Sequence, residues 1–220
     1  MSEIKACLFD LDGVIVDTAK YHFIAWRELA ENLGFEFTEQ DNERLKGVSR
    51  SASLDILLEI GGLSLDEAEK ARLAEQKNNR YVEYIAKMDS SEILPGALGF
   101  LKECREAGIK VALGSASKNA MTILNNTGLT PYFDAIIDGT HTSAAKPDPE
   151  VFLLGAQALA VSPEHCVVFE DAEAGILAAT RAGMRSVGIG SPATLGAANI
   201  VVPSLQQIAL AELRESFATV

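Results

Sequence analysis

The chain reads as an α/β protein: a parallel sheet covered by helices on both faces, with a helical module inserted after the first strand. Three observations predict it. An apolar run ends abruptly at Asp10, about seventy residues of helical periodicity follow, and from Pro95 onward strand-like and helix-like segments alternate.

Residues 4–9 are mostly apolar and stop at an acid, as a buried parallel strand feeding a loop does. Phe23, Trp26, Leu29, Ala30 and Leu33 then recur at three- and four-residue steps, and Gly34 closes that helix. A second helix is predicted over 51–60, ended by Gly61-Gly62. A long charged one spans 65–88, with Tyr81, Tyr84, Ile85 and Met88 as its apolar stripe. No strand is expected between Asp17 and Ser90. The alternating part gives helix 96–107, strand 109–114, helix 119–126, a strand around 133–137, helix 149–160, strand 165–169, helix 173–182 and strand 185–189. Repeated βα units imply right-handed crossovers and a parallel sheet. The expected division is a core of 1–15 and 93–220 and a helical module of 16–92, hinged near 13–18 and 89–95. The last thirty or so residues carry no assignment.

With 48% hydrophobic residues in 220, a sizeable core is affordable and global disorder is excluded. A formal charge of −12 argues against nucleic acid and anionic membrane as partners. Any phosphate site must therefore be a local island of cations and N–H groups. Cys7, Cys104 and Cys166 are sparse and lack metal-ligand spacing, which fits a reducing cytoplasm. Glu3 and Asp10 fall where a secretory leader would be basic and then apolar, and no apolar run reaches membrane-spanning length.

Asp10 and Asp12 stand at the carboxyl end of the first strand, where open α/β sheets bind ligands. One carboxylate can attack phosphorus, and a second two residues on can move the proton of the oxygen that receives the group. Ser115-Ala116-Ser117-Lys118-Asn119 and Glu170-Asp171 follow two further strands, and Lys146-Pro147-Asp148-Pro149 precedes a helix. Each alone is ordinary: the Lys-Pro run reads as a surface turn and Glu170-Asp171 as a helix-start acid pair. Four in this order, gathered on one rim, supply what phosphoryl transfer needs: hard oxygen ligands for Mg²⁺, a lysine against the transferring group and hydroxyl donors.

Asp10-x-Asp12-Gly13, Ser115, Lys146-Pro147 and Glu170-Asp171 resemble the four ordered motifs of the haloacid dehalogenase-like phosphotransferase superfamily. The resemblance spans most of the chain. It implies a Rossmann-like core with an inserted four-helix cap, Asp10 as nucleophile, Asp12 as general acid–base, and catalytic roles for Ser115 and Lys146. It also implies an Mg²⁺ held among Asp10, Asp12, Glu170 and Asp171. The dehalogenases themselves generally lack the second acid, so Asp12 favours phosphoryl transfer. Leu45 to Arg50, Trp26 and Lys77-Asn78 resemble the cap of sugar phosphomutases within the superfamily, and residues 18–23 resemble their hinge. That implies Thr18 and His22 place Asp12 on closure. It also implies substrate contacts from Trp26, Lys46, Gly47, Val48, Arg50, Ser53, Lys77, Ala116, Ser117, Lys118 and Asn119. Trp26, at helical spacing, reads more as core than as a sugar platform; His141 and His165 read as structural.

The expected reaction interconverts β-D-glucose 1-phosphate and β-D-glucose 6-phosphate through an aspartyl phosphate and the 1,6-bisphosphate, in a monomer. A sugar-phosphate phosphatase of the same superfamily is the nearest alternative. It would share the core residues and lack need of Arg50, the bidentate grip for a second phosphate. A non-catalytic binding protein on the same fold is a third.

Overall fold

A computed structural model describes residues 3–45 and 48–218. Its centre is a six-stranded parallel sheet in the order β3-β2-β1-β4-β5-β6. The strands are β1 (Ala6–Phe9), β2 (Lys110–Gly114), β3 (Ala135–Ile137), β4 (Cys166–Glu170), β5 (Arg185–Ile189) and β6 (Ile200–Val202). The order reverses between β1 and β4, and that switch point is where doubly wound sheets open a ligand crevice. The register puts Phe9 beside both Leu113 and Phe169. Asp10, Gly114 and Glu170 therefore leave the rim abreast.

Side chains of β1 alternate between two cores, as a strand buried on both faces requires. Cys7 and Phe9 join Phe100, Leu101, Ile123 and Leu213 under α5 (Ala97–Glu106), α6 (Ala120–Thr127) and α10 (Leu210–Ala218). Ala6 and Leu8 join Val151, Phe152, Ala156, Ala178 and Ala179 under α7 (Glu150–Ala158) and α8 (Glu173–Arg181). Phe9 stacks on Phe169 at 4.6 Å between centroids, and Phe100 meets both edge-on.

Between β1 and β2 lie α1 (Ala19–Leu33), α2 (Glu39–Glu43), α3 (Arg50–Ile60) and α4 (Glu67–Ile85). These helices bury a separate cluster of Trp26, Leu29, Phe37, Leu54, Leu57, Leu58 and Leu73. Gly34, at φ 91°, closes α1 in the left-handed region. Asp66 caps α4 by accepting from the Glu69 N–H. The long helix thus starts later and ends sooner than the 65–88 expected, and Met88 packs into the sheet-side core from beyond its end. Strand β6, α2, α9 (Pro192–Leu195) and α10 were not anticipated: each is short or weakly patterned.

Candidate active site

Asp10 continues β1 into the loop and is 7% exposed. Its Oδ2 accepts the Asp12 N–H at 3.0 Å, and its Oδ1 accepts from Lys146 Nζ at 2.5 Å. Lys146 also donates to Glu170 Oε1, while Glu170 Oε2 takes the Ala172 N–H at 3.0 Å. Lysine and glutamate are both buried, so the three groups form a desolvated triad. The lysine arrives on a loop clamped by Glu150, whose carboxylate accepts from the Ser143 and Ala144 N–H groups at 2.8 and 2.7 Å.

Asp12 points elsewhere. Its Oδ1 accepts the Thr18 hydroxyl, and His22 Nε2 stands 4.0 Å away. His22 Nδ1 meets Lys77 Nζ at 2.7 Å. Burial, with the charges of Lys77 and Arg50, holds His22 well below its ordinary pKa, so its ring is neutral. Nδ1 then accepts from the Lys77 amine and the ring proton sits on Nε2, facing Asp12.

The turn after β2 is built on hydroxyls. Ser115, 1% exposed, accepts from the Ser117 N–H at 3.1 Å, and Ser117 Oγ accepts from the Asn119 N–H at 3.2 Å. Asn119 Nδ2 donates to Asn78 Oδ1 at 3.2 Å, joining this turn to α4. A cavity of about 540 Å³ opens between these elements. The core lines it with Asp10, Asp12, Ser115 through Asn119, Lys146 and Asp171; the helical segment lines it with His22, Trp26, Val48, Arg50, Ser53 and Lys77. Lys46 and Gly47, expected at this site, lie outside the described residues. Trp26 resolves to both of its readings: it is a 2% exposed member of the helical core and a wall of the cavity, with Lys77 Nζ 4.5 Å from its ring centre.

Residues 4–183 match the family model for haloacid dehalogenase-like hydrolases. The chain belongs to the haloacid dehalogenase-like family. Among its relatives, a β-phosphoglucomutase of Bacillus subtilis is 43% identical over 97% of this chain and 96% of its own. A phosphorylated carbohydrates phosphatase of Thermotoga maritima is 35% identical over 84% of each. A crystal structure of β-phosphoglucomutase from Clostridium difficile superposes with a TM-score of 0.93 at 46% identity, covering 98% of both chains.

Family membership does not set the electrostatics; the packing of this chain does. Burial and the neighbouring Asp10 charge push Asp12 up to about 6, against the pull of the Thr18 hydroxyl and Lys146. Burial alone would lower Lys146, but Asp10 and Glu170 outweigh it and keep the amine charged. Burial pushes Glu170 up to about 7 against the attraction of Lys146. The same cause, with Arg50 nearby, brings Lys77 down to about 7.

The four acids expected around Mg²⁺ are not gathered as one ligand set. Among the described residues no three His, Cys, Asp or Glu side chains stand together as a metal site. Glu170 is fully buried with both oxygens taken, by Lys146 and the Ala172 N–H, whereas Asp10, Asp12 and Asp171 line the cavity. Of these, Asp10 and Asp171 suit a hard cation. Asp171 folds so closely over Gly13 that a Cβ there would lie 2.3 Å from its Oδ2. Gly13 itself sits at φ 82°, which favours glycine. Mg²⁺ commonly uses one or two carboxylates and completes its shell with water and phosphate oxygens, so Asp10 and Asp171 fit it.

Two contributors escaped the sequence reading. Residues 142–145 line the cavity, and their only signal was adjacency to Lys146. Tyr81, read as part of an apolar stripe, stacks on His22 at 4.0 Å between ring centres.

Proposed function

We propose that the protein is a β-phosphoglucomutase, interconverting β-D-glucose 1-phosphate and β-D-glucose 6-phosphate as a cytoplasmic monomer. One observation carries the reading: a single cavity is lined both by the Asp10–Lys146 pair and by Arg50 with the Ser117–Asn119 turn. A bisphosphate needs a reacting carboxylate and a second anion grip at once, whereas hydrolysis of a monophosphate does not. The 43% identity to a β-phosphoglucomutase over almost the full length supports the same choice.

In the proposed cycle phosphorylated Asp10 gives its phosphoryl group to a sugar hydroxyl, and Asp12 takes that hydroxyl's proton. A pKa near 6 suits Asp12 to both halves of this exchange. The bisphosphate then turns end for end. Asp10 attacks the other phosphorus, the bond to the sugar oxygen breaks, and Asp12 returns a proton to that oxygen. Lys146, held charged between Asp10 and Glu170, faces the negative charge on the transferring oxygens. Mg²⁺ bound at Asp10 and Asp171 would neutralise part of that same charge. Arg50, Ser117, Lys118 and Asn119 hold the distal phosphate, Arg50 as a planar fork and the turn through hydroxyl, amide and N–H donors. Val48, Trp26 and Ser53 wall the sugar. Residues 16–92 act as a cap over the core of 1–15 and 93–220. Thr18 and the Lys77–His22 pair seat Asp12 when it closes, and closure keeps water from the aspartyl phosphate.

The test is an assay with β-glucose 1-phosphate, Mg²⁺ and a trace of the 1,6-bisphosphate, run beside the α anomer. Glucose 6-phosphate formed from the β anomer alone is the expected product. Free phosphate with glucose would instead support a sugar-phosphate phosphatase, the activity carried by the name of the Thermotoga maritima relative.

A further inference from the structure

Asn119 stands at the start of α6, yet its side chain makes no capping bond to that helix. Its backbone, at φ −106° and ψ 9°, is not the extended one from which an asparagine caps. The amide nitrogen reaches α4 instead, donating to Asn78 Oδ1 at 3.2 Å. Among the described residues that is the one hydrogen bond of this carboxamide. The nitrogen carries a second hydrogen, and Asn119 and Asn78 both line the cavity.

Helix α4 holds Asn78 from both sides, because it passes from one core to the other around this residue. Leu73 lies in the helical cluster, whereas Tyr81 and Ile85 lie in the sheet-side core. Two turns further along each helix a second tie follows, from Asn126 Nδ2 to Ile85 O at 2.9 Å. The two helices therefore run side by side in one direction, tied at points about 10 Å apart. Val82 lies between the ties in sequence and is 36% exposed, so apolar packing does not duplicate the tie at Asn78.

We propose that Asn78 is a positioning residue for the distal phosphate, fixing the Asn119 carboxamide with its free amide hydrogen at the cavity wall. A carboxamide without such a tie turns about a broad final torsion. It then presents its oxygen, which a phosphate repels, as readily as its nitrogen. The tie removes that ordering cost before the ligand arrives. This role rests on the phosphate site proposed above and adds to it a residue that need not touch the ligand.

The experiment measures calorimetric binding of glucose 6-phosphate, without added metal, to wild type, Asn78→Ala, Asn119→Ala and the double variant. With no cation present, Asp10, Asp12 and Asp171 repel a monophosphate, which leaves Arg50 and the Ser117–Asn119 turn to bind it. Asn119→Ala is expected to raise Kd about tenfold or more, and Asn78→Ala about three- to tenfold. Because Asn78 acts through Asn119, the double variant should bind no worse than Asn119→Ala. In turnover the Asn78→Ala loss falls on KM, with kcat changed less than about twofold. An unchanged Kd in Asn78→Ala, losses that multiply in the double variant, or a fall in kcat alone each overturn the proposal and leave the phosphate site standing. An unchanged Kd in Asn119→Ala removes the phosphate site itself, and the proposal with it. Binding needs no turnover, so a protein that shows the coupling yet forms no glucose 6-phosphate from β-glucose 1-phosphate counts against the mutase alone.

Discussion

Replacing Gly175 by alanine sets two effects of opposite sign against each other. Gly175 lies in the first turn of α8, where alanine is favoured by up to about 1 kcal/mol on helix propensity. A Cβ at this position would stand 2.0 Å from both Cδ and Oε1 of Glu170, where ordinary contact begins near 3.4 Å. Glu170 must therefore shift by about 1.4 Å, and it has nowhere to go: it is wholly buried and bonded at both oxygens. Overpacking of this kind costs about 1–3 kcal/mol. Loosening a buried ion pair from one side adds up to 3–5 kcal/mol when complete. With partial loss of the pair and the propensity gain set against it, Gly175→Ala should destabilise by about 2–4 kcal/mol. For a chain of this size that lowers Tm by roughly 5–15 °C. The same displacement moves Lys146 off Asp10, and an error of an ångström at a reacting group can cost about 100-fold in rate. Thermal unfolding and single-turnover phosphorylation of Asp10 report the two losses separately. Gly99→Ala is the control: that glycine is exposed in α5 with nothing near its missing Cβ, so only the gain should remain. A Gly175→Ala protein as stable and as active as wild type would refute the rigid Glu170–Lys146 contact.

Four further outcomes are expected. Asp10→Asn should keep the fold, since the side chain sits on a strand-end loop, and should abolish the mass increase of a phosphoryl adduct on the intact protein. Arg50→Lys should slow bisphosphate-dependent turnover far more than hydrolysis of the phosphoenzyme, because a point charge replaces a fork; equal losses would remove Arg50 from the distal phosphate. Proton acceptance by Asp12 requires its ionised form, so kcat/KM should fall with unit slope as pH drops below about 6. An acid limb centred near the ordinary 3.8 would show that burial and Asp10 do not raise Asp12, and a limb near 6 that persists in Asp12→Asn would show that Asp12 is not the base. Lys77 is depressed to about 7 by burial and by Arg50, so the unfolded chain binds the extra proton between about 7 and 10.5 and stability rises with pH across that window. Lys77→Met should remove that share of the rise, at most roughly 5 kcal/mol, in denaturant titrations at pH 7 and 10.

The parallel core was legible because buried strands announce themselves as uninterrupted apolar runs, and because Gly34, Gly108 and Gly183 mark helix ends. The terminal strand was not. Ile200–Val202 is three half-buried residues at a sheet edge, too short for period or composition to separate it from a loop. At the site, residue types were readable but directions were not. Glu170 and Asp171 are neighbours in sequence and part company in space, one sealed beneath Lys146 and the other folded over Gly13. Alternation along a strand predicts such a split in general, yet which acid faces the cavity depends on where β4 ends. Tyr81 was hidden for a related reason: a helical stripe records which side is buried, and an aromatic ring on a histidine looks the same as one in a core.

The chain leaves the sheet and returns to it through a paired crossing. Val16 bridges Ile93, the Asp17 N–H reaches Glu92 O at 2.9 Å, and the Leu94 N–H reaches Ile15 O at 3.0 Å. Glu92 also takes Lys20 Nζ and the Tyr21 hydroxyl, each at 2.6 Å. The two ends of the excursion are thus already stitched, and the closure entropy of a chain segment grows only slowly with its length. Helices of other number or size could be grafted between those stitches with little thermodynamic consequence for the sheet. Selectivity for one sugar over another can then drift while the reacting acids stay where they are.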